Sequence, residues 1–214
     1  MVKFKQFLQN YPTKVVPKGQ IILHQGDEPG CAYVIKSGYV KMYEITSAGE
    51  EKPLLFDHEY ETFPIAWVFS HIDVANYYYE ALTECELYLV PRSDYIAFLQ
   101  NNAMSQFSLF SHFVERYNDF QMRILALEQL KASDKVFYTL RFLAARFGKA
   151  SSTNNDEWEI SIPLTQQDIA NFVGLTRETT GLELKRLERE GVIRYSNQEY
   201  YIKRTKFDAL LDSK

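Results

Sequence analysis

The sequence predicts an α+β chain in three parts: an N-terminal antiparallel β-roll, a long helix and a C-terminal winged helix-turn-helix. Short strand-like runs punctuated by glycine fill the first hundred residues, an aromatic stripe at helical spacing follows, and residues 163–193 set out two capped helices around a glycine turn. The expected division is a roll with its helix (about 104–130) over residues 1–130 and a winged domain over residues 131–214. With 214 residues, 46% of them hydrophobic, the chain can bury two modest cores. No apolar run approaches ~20 residues and the first ten residues lack a signal-peptide core, so the expected location is cytoplasmic, with no membrane partner.

The roll rests on strand-like runs at residues 20–24, 32–36, 39–45 and 84–90, with turns at Gly26, Gly30, Gly38 and Gly49. The long helix rests on Phe110, Phe113, Tyr117, Phe120, Ile124 and Leu127, spaced as the seam of a coiled coil, which predicts a homodimer. The competing arrangement is a monomeric helix packed on its own roll, and Phe107 and Val114, off the seam, could pack there in either case. Ser133 is the expected cap of a further helix carrying Val136, Leu140 and Leu143 up to Gly148, and residues 149–157 read as a polar loop.

In the helix-turn-helix, Thr165 caps the first helix with Asp168 in a capping-box position, and Ile169, Ala170 and Val173 form its apolar stripe. Gly174 breaks the pattern and Thr176 caps the second helix, which Gly191 ends. Within it Thr180, Leu184 and Leu187 are expected inward, and Arg177, Glu178, Gly181, Leu182 and Lys185 outward. Strand-like runs at residues 192–194 and 200–202, around a turn at residues 195–199, supply the wing.

That outward face has the chemistry to read a major groove. Arginine donates two hydrogen bonds to guanine and glutamate accepts one from the cytosine amino group, so Arg177, Glu178, Gly181 and Lys185 are the candidate base-facing positions. Thr165, Gln167, Thr176, Thr179 and Lys203 are candidate phosphate contacts, and double-stranded DNA is the expected partner. The formal net charge of -4 conceals an asymmetry: residues 131–214 hold 14 Lys/Arg against 12 Asp/Glu, and residues 1–130 hold 10 against 16. Lys185, Arg186, Arg189, Arg194, Lys203, Arg204 and Lys206 give the winged part the cations that phosphate neutralisation needs. The competing reading is a ligand-binding or scaffold protein whose winged helix contacts proteins. No catalytic residues are assigned, because no Ser/His/Asp, Cys/His or paired His-x-His arrangement is present, so no enzyme activity is expected.

Residues 164–193 resemble the DNA-binding motif of the Crp/Fnr superfamily of bacterial transcription regulators, through Thr165, Gln167, Gly174, Leu175, Thr176, Arg177, Glu178, Thr179, Gly181, Leu184, Lys185, Leu187, Gly191 and Ile193. The order Gly19, Gly26, Asp27, Tyr33, Ile35, Gly38, Val40, Tyr43, Gly49 resembles that family's cyclic-nucleotide-binding roll. The resemblance implies a dimer on an inverted repeat, with RNA polymerase as a further partner. It fails at two places. Leu182 stands where the family often has a second base-contacting arginine, so the half-site is expected to differ. Pro64 and Ile65 stand at the family's Gly-Glu pair, and Ala75 and Asn76 at its Arg-Ser or Arg-Thr pair, which together hold ribose and cyclic phosphate.

No arginine occurs from residue 2 to residue 90, so a buried cyclic phosphate would lack its cation and cyclic AMP or GMP is not the expected effector. The Fnr branch holds an iron-sulfur cluster through several cysteines, most near the N-terminus. Here only Cys31 and Cys85 occur, expected as buried thiols, so no cofactor or metal is assigned. His24, His58 and His71 leave a metal or haem ligand open, and Trp67, Phe69, Tyr77, Tyr78 and Tyr79 read as core or as an apolar effector pocket.

Overall fold

Alternating apolar residues in the first hundred positions form two four-stranded antiparallel sheets in a computed structural model that describes residues 2–69, 72–151, 154–196 and 199–212. Helix α1 (Val2–Leu8) precedes strands β1 (Thr13–Val16), β2 (Ile21–Leu23), β3 (Ala32–Ser37), β4 (Val40–Ile45), β5 (Glu51–Asp57) and β6 (Thr62–Phe63). A four-residue helix α2 (Ile65–Val68) then leads to β7 (Tyr78–Ala81), β8 (Cys85–Val90) and α3 (Arg92–Gln100). The sheets run β1-β8-β3-β6 and β2-β7-β4-β5, and their inward residues, among them Val34, Ile35, Val40, Leu55, Phe56 and Leu87, are fully buried. Gly38 makes the β3–β4 turn with φ 93°, and a Cβ there would run into the Glu84 carbonyl oxygen. Strands β1, β5, β6 and β7 lay outside the sequence expectation, because they are short or, like β5, begin with polar residues and a proline.

Helix α4 (Ala103–Glu128) follows, and the chain divides into two compact units, Met1–Val114 and Glu115–Lys214, within its length. In the first unit Phe113 meets the Phe69 ring edge-on at 6.2 Å, and His112 Nε2 lies 3.3 Å from the buried Glu61 carboxylate. In the second, the Arg146 guanidinium donates to Asp119, and Arg123 donates to the Phe172 carbonyl at 2.9 Å with its Cζ 3.6 Å from the centre of the Phe172 ring. Burial lowers the Arg123 pKa to about 10, which leaves it protonated at neutral pH.

Phe113 and Leu127 are half-buried, whereas Phe107 and Val114, the off-seam residues that could have packed on the roll, are exposed. The reason is geometric. Two heptad rows share Phe110, Tyr117 and Ile124, and only the docking of Phe113 on Phe69 decides which flank remains open.

The second unit continues with α5 (Ala132–Phe147), β9 (Gly148–Ala150), β10 (Glu157–Ile160), α6 (Gln166–Val173), α7 (Arg177–Arg189), β11 (Ile193–Ser196), β12 (Glu199–Lys203) and α8 (Arg204–Asp212). Helix α5 starts one residue before the expected cap: Lys131 is its N-cap without a side-chain bond, and Ser133 lies inside the first turn. The expected polar loop at 149–157 contributes instead to two strands in a sheet ordered β11-β12-β10-β9, where Trp158 pairs with Ala150 and Ile202. Edge pairing there compensates the poor strand propensity of the sequence. Residues 197 and 198 of the expected wing turn lie outside the described residues, as does His71.

The Asp119–Arg146 side chains are about nine-tenths buried. Arg146→Ala would remove a buried cationic partner of Asp119 and should lower the unfolding free energy by about 3–5 kcal/mol, read by urea denaturation. An effect below about 1 kcal/mol would contradict the role given to this pair.

Candidate nucleic-acid interface

The helix-turn-helix is fixed by its caps. Thr165 Oγ1 accepts from the Asp168 N–H at 3.1 Å while the Asp168 carboxylate accepts from the Thr165 N–H at 2.8 Å, a complete capping box. Gly174 ends α6 in the left-handed region (φ 71°), which a side chain would strain, and Thr176 then accepts from the Thr179 N–H at 3.2 Å to start α7. Beneath these, Ile169, Phe172, Val173, Leu184 and Leu187 are buried together with Phe137, Leu140 and Phe142 of α5.

Gly181 departs from its expected outward placement. It is buried, and a Cβ there would come within 3.2 Å of Gln166 Oε1, so the glycine serves the close approach of α6 and α7. The exposed ridge of α7 consists of Glu178, Leu182, Lys185 and Arg189, spaced four, three and four residues apart directly opposite the buried Thr180, Leu184 and Leu187. Arg177 lies exposed in the first turn. The side chains of Arg177, Glu178, Lys185 and Arg189 make no hydrogen bond or ion pair among the described residues.

Other cations of the basic cluster are tied within the fold. Arg186 donates to Glu183 and Glu190 at 2.8 Å each, and Arg194 to Glu157 at 2.9 Å. Lys206 donates to the Glu190 carbonyl at 2.8 Å and so neutralises the C-terminal end of α7, while Arg204 lies over the Trp158 ring. Lys203 and Arg204 both lie near Asp156, whose pKa is lowered first by hydrogen bonding from Thr205 and then by these two charges. The Thr165 hydroxyl donates to Asp168 at 2.6 Å and the Thr176 hydroxyl to Thr179 Oγ1 at 2.9 Å, so neither offers its hydrogen to a phosphate. The Thr179 hydroxyl keeps its own hydrogen free, and Gln167, bonded to Asn171 at 2.7 Å, keeps one of its two amide hydrogens. The Arg186 pairs lie three and four residues apart on one helix and were legible as spacing, whereas the Arg194–Glu157 and Lys206–Glu190 ties join elements distant in the chain, for which sequence reasoning had no signal.

At the degenerate effector positions Pro64 follows a cis peptide bond and is buried, Ile65 is half-buried, Ala75 is buried and Asn76 is exposed. The Ala75 backbone groups pair with Gly26 and Asp27 at 2.8 Å. Phe63 stacks on Tyr33 at 5.3 Å and on Tyr79 at 4.7 Å, so one aromatic column bridges the two sheets of the roll. None of the four positions supplies a cation or a carboxylate for a cyclic nucleotide. Cys85 is buried and donates to the Tyr39 carbonyl, whereas Cys31 is only half-buried; burial raises the pKa of both thiols. Trp67 and Tyr79 belong to the core, and no cluster of three or more His, Cys, Asp or Glu suited to a metal occurs among the described residues.

A family model described as a cyclic nucleotide-binding domain matches residues 13–102, and one described as a Crp-like helix-turn-helix domain matches residues 135–212. The chain is 29% identical over 199 residues to the regulatory protein HlyX of Actinobacillus pleuropneumoniae, covering 92% of this chain and 79% of that protein. It is 26% identical over 196 residues to the transcriptional activator protein anr of Pseudomonas aeruginosa, covering 86% and 74%. Its fold superposes on FixK2 from Bradyrhizobium japonicum with a TM-score of 0.76 at 19% identity, covering 94% of this chain and 96% of that one. With the roll and the winged helix-turn-helix matched in turn, the chain belongs to the Crp/Fnr superfamily of transcription regulators, which bind DNA through this helix-turn-helix.

Proposed function

We propose that the protein is a cytoplasmic homodimer that binds an inverted-repeat DNA site without control by cyclic AMP or GMP. The observation that carries the DNA-reading part is the row of unpartnered polar side chains at the start and along the ridge of α7. Arg177 and Glu178, in the first turn, read base edges, Lys185 reads or flanks them, and Thr179, Gln167 and Lys203 hold phosphates. Two such helices about one duplex turn (~34 Å) apart enter successive major grooves. The roll with its helix, residues 1–130, and the winged part, residues 131–214, act as the regulatory and reading halves, and RNA polymerase is the further partner through which binding alters transcription.

The dimer follows from α4. Phe107, Phe110, Val114, Tyr117, Phe120 and Ile124 leave a long apolar row in water, which a second copy would cover. Aspartate at exposed Tyr117 leaves the fold intact but puts a charge in that row, and Tyr117→Asp should sediment as a monomer and bind a single half-site weakly. An unchanged dimer would remove α4 as the interface.

The roll does not fit a cyclic nucleotide, because buried Pro64 and Ala75 offer no charge where the phosphate and ribose would sit, and the Tyr33–Phe63–Tyr79 column joins the sheets. Nor do two cysteines furnish four thiolates for an iron-sulfur cluster. Calorimetric titration with cyclic AMP or GMP should give no saturable heat. Saturable binding coupled to tighter DNA affinity would overturn this reading.

Selection of bound duplexes from a random pool tests the reading helix. Arg177→Ala or Glu178→Ala should lose about 1–3 kcal/mol on the selected site and relax the preference at one base pair. Sequence selection identical to the parent protein in both variants would sink the assignment.

A further inference from the structure

We infer that Leu182 is a specificity-determining residue that reads the C5-methyl group of a thymine, so that each half-site contains a T·A pair at its position; the inference rests on α7 being the reading helix. Leu182 is 68% exposed and lies at the centre of the ridge, four residues after Glu178 and three before Lys185. It stands directly opposite the buried Leu184 and Leu187, so no neighbouring element covers it. A single exposed leucine is ordinary on a protein surface. This one lies on the face that family membership assigns to DNA, between polar side chains with no partner in the fold.

The chemistry of the groove narrows what Leu182 can recognise. Every base-pair edge in the major groove presents hydrogen-bond donors or acceptors, and an isobutyl group satisfies none of them. Against guanine or cytosine it would strip water from polar atoms and return no hydrogen bond. The thymine methyl is the one apolar feature on that surface, and contact with it buries carbon on both sides. Four residues of helix advance about 6 Å, roughly two base-pair steps of about 3.4 Å. The thymine therefore lies within about two base pairs of the pair that depends on Glu178.

The test uses the full chain and duplexes selected by it from a random pool. Replacing the thymine of each half-site by deoxyuridine removes only the methyl group, and affinity should fall about fourfold per half-site, the worth of one buried carbon. Leu182→Ala should bind thymine and deoxyuridine duplexes alike while keeping the parent's salt dependence and its preference at the Arg177-dependent pair. Leu182→Arg should move the selected pair from T·A to G·C. Equal binding of thymine and deoxyuridine at every position by the parent protein, or discrimination that survives in Leu182→Ala, overturns the inference and leaves the reading helix standing. A parent protein that selects no sequence overturns both.

Discussion

The buried ion pair of Asp119 with Arg146, with Arg123 laid on Phe172 beside it, is the constraint on which the DNA-facing half depends. Taking a carboxylate and a guanidinium out of water is unfavourable by several kcal/mol for each ion, so the arrangement persists only while both partners and their hydrogen bonds stay in register. That register fixes the second half of α4 against α5 and α6. Because α6 and α7 share a core of Ile169, Phe172, Leu184 and Leu187, the direction of the reading helix follows from it. In the proposed dimer, the same rigidity would carry the two-fold axis of α4 to the spacing of the two reading helices.

Charge in the winged part is divided between two tasks. Arg186, Arg194 and Lys206 answer carboxylates or a helix-end carbonyl inside the domain, and only some of its cations keep a face without a partner. A count of lysine and arginine thus overstates the electrostatic footprint available to phosphates, since an ion pair must be broken before its cation can neutralise DNA. The side chains of the α7 ridge form no ion pair among the described residues. Arg177, Lys185 and Arg189 are exposed cations without a side-chain partner among the described residues, and Leu182 lies among them as an exposed apolar side chain.

The roll keeps the architecture of the cyclic nucleotide-binding domain that it matches, and the positions Pro64, Ile65, Ala75 and Asn76 carry no charged side chain. Pro64 and Ala75 are buried apolar residues, and the aromatic column from Tyr33 through Phe63 to Tyr79 ties sheet to sheet through stacking. Packing of this kind joins the two sheets of the roll through side chains of its own, and Leu109 at the start of α4 packs against its core.

Local rules settled much of the chain directly. The Thr165–Asp168 capping box, the left-handed Gly174, the Thr176 cap and the inward Leu184 and Leu187 of α7 are all written in short-range spacing, and the structure realises them as read. The roll's glycine turns at Gly26, Gly38 and Gly49 are of the same kind. What spacing left open was decided by contacts between residues distant in sequence. Phe113 chose Phe69 and so exposed Phe107 and Val114; Gly181 is buried beside Gln166; Arg194 found Glu157. A helix repeats every 3.6 residues, so sequence determines which faces it can bury; only tertiary packing decides which of two adjoining faces meets its own fold and which is left for DNA or a partner.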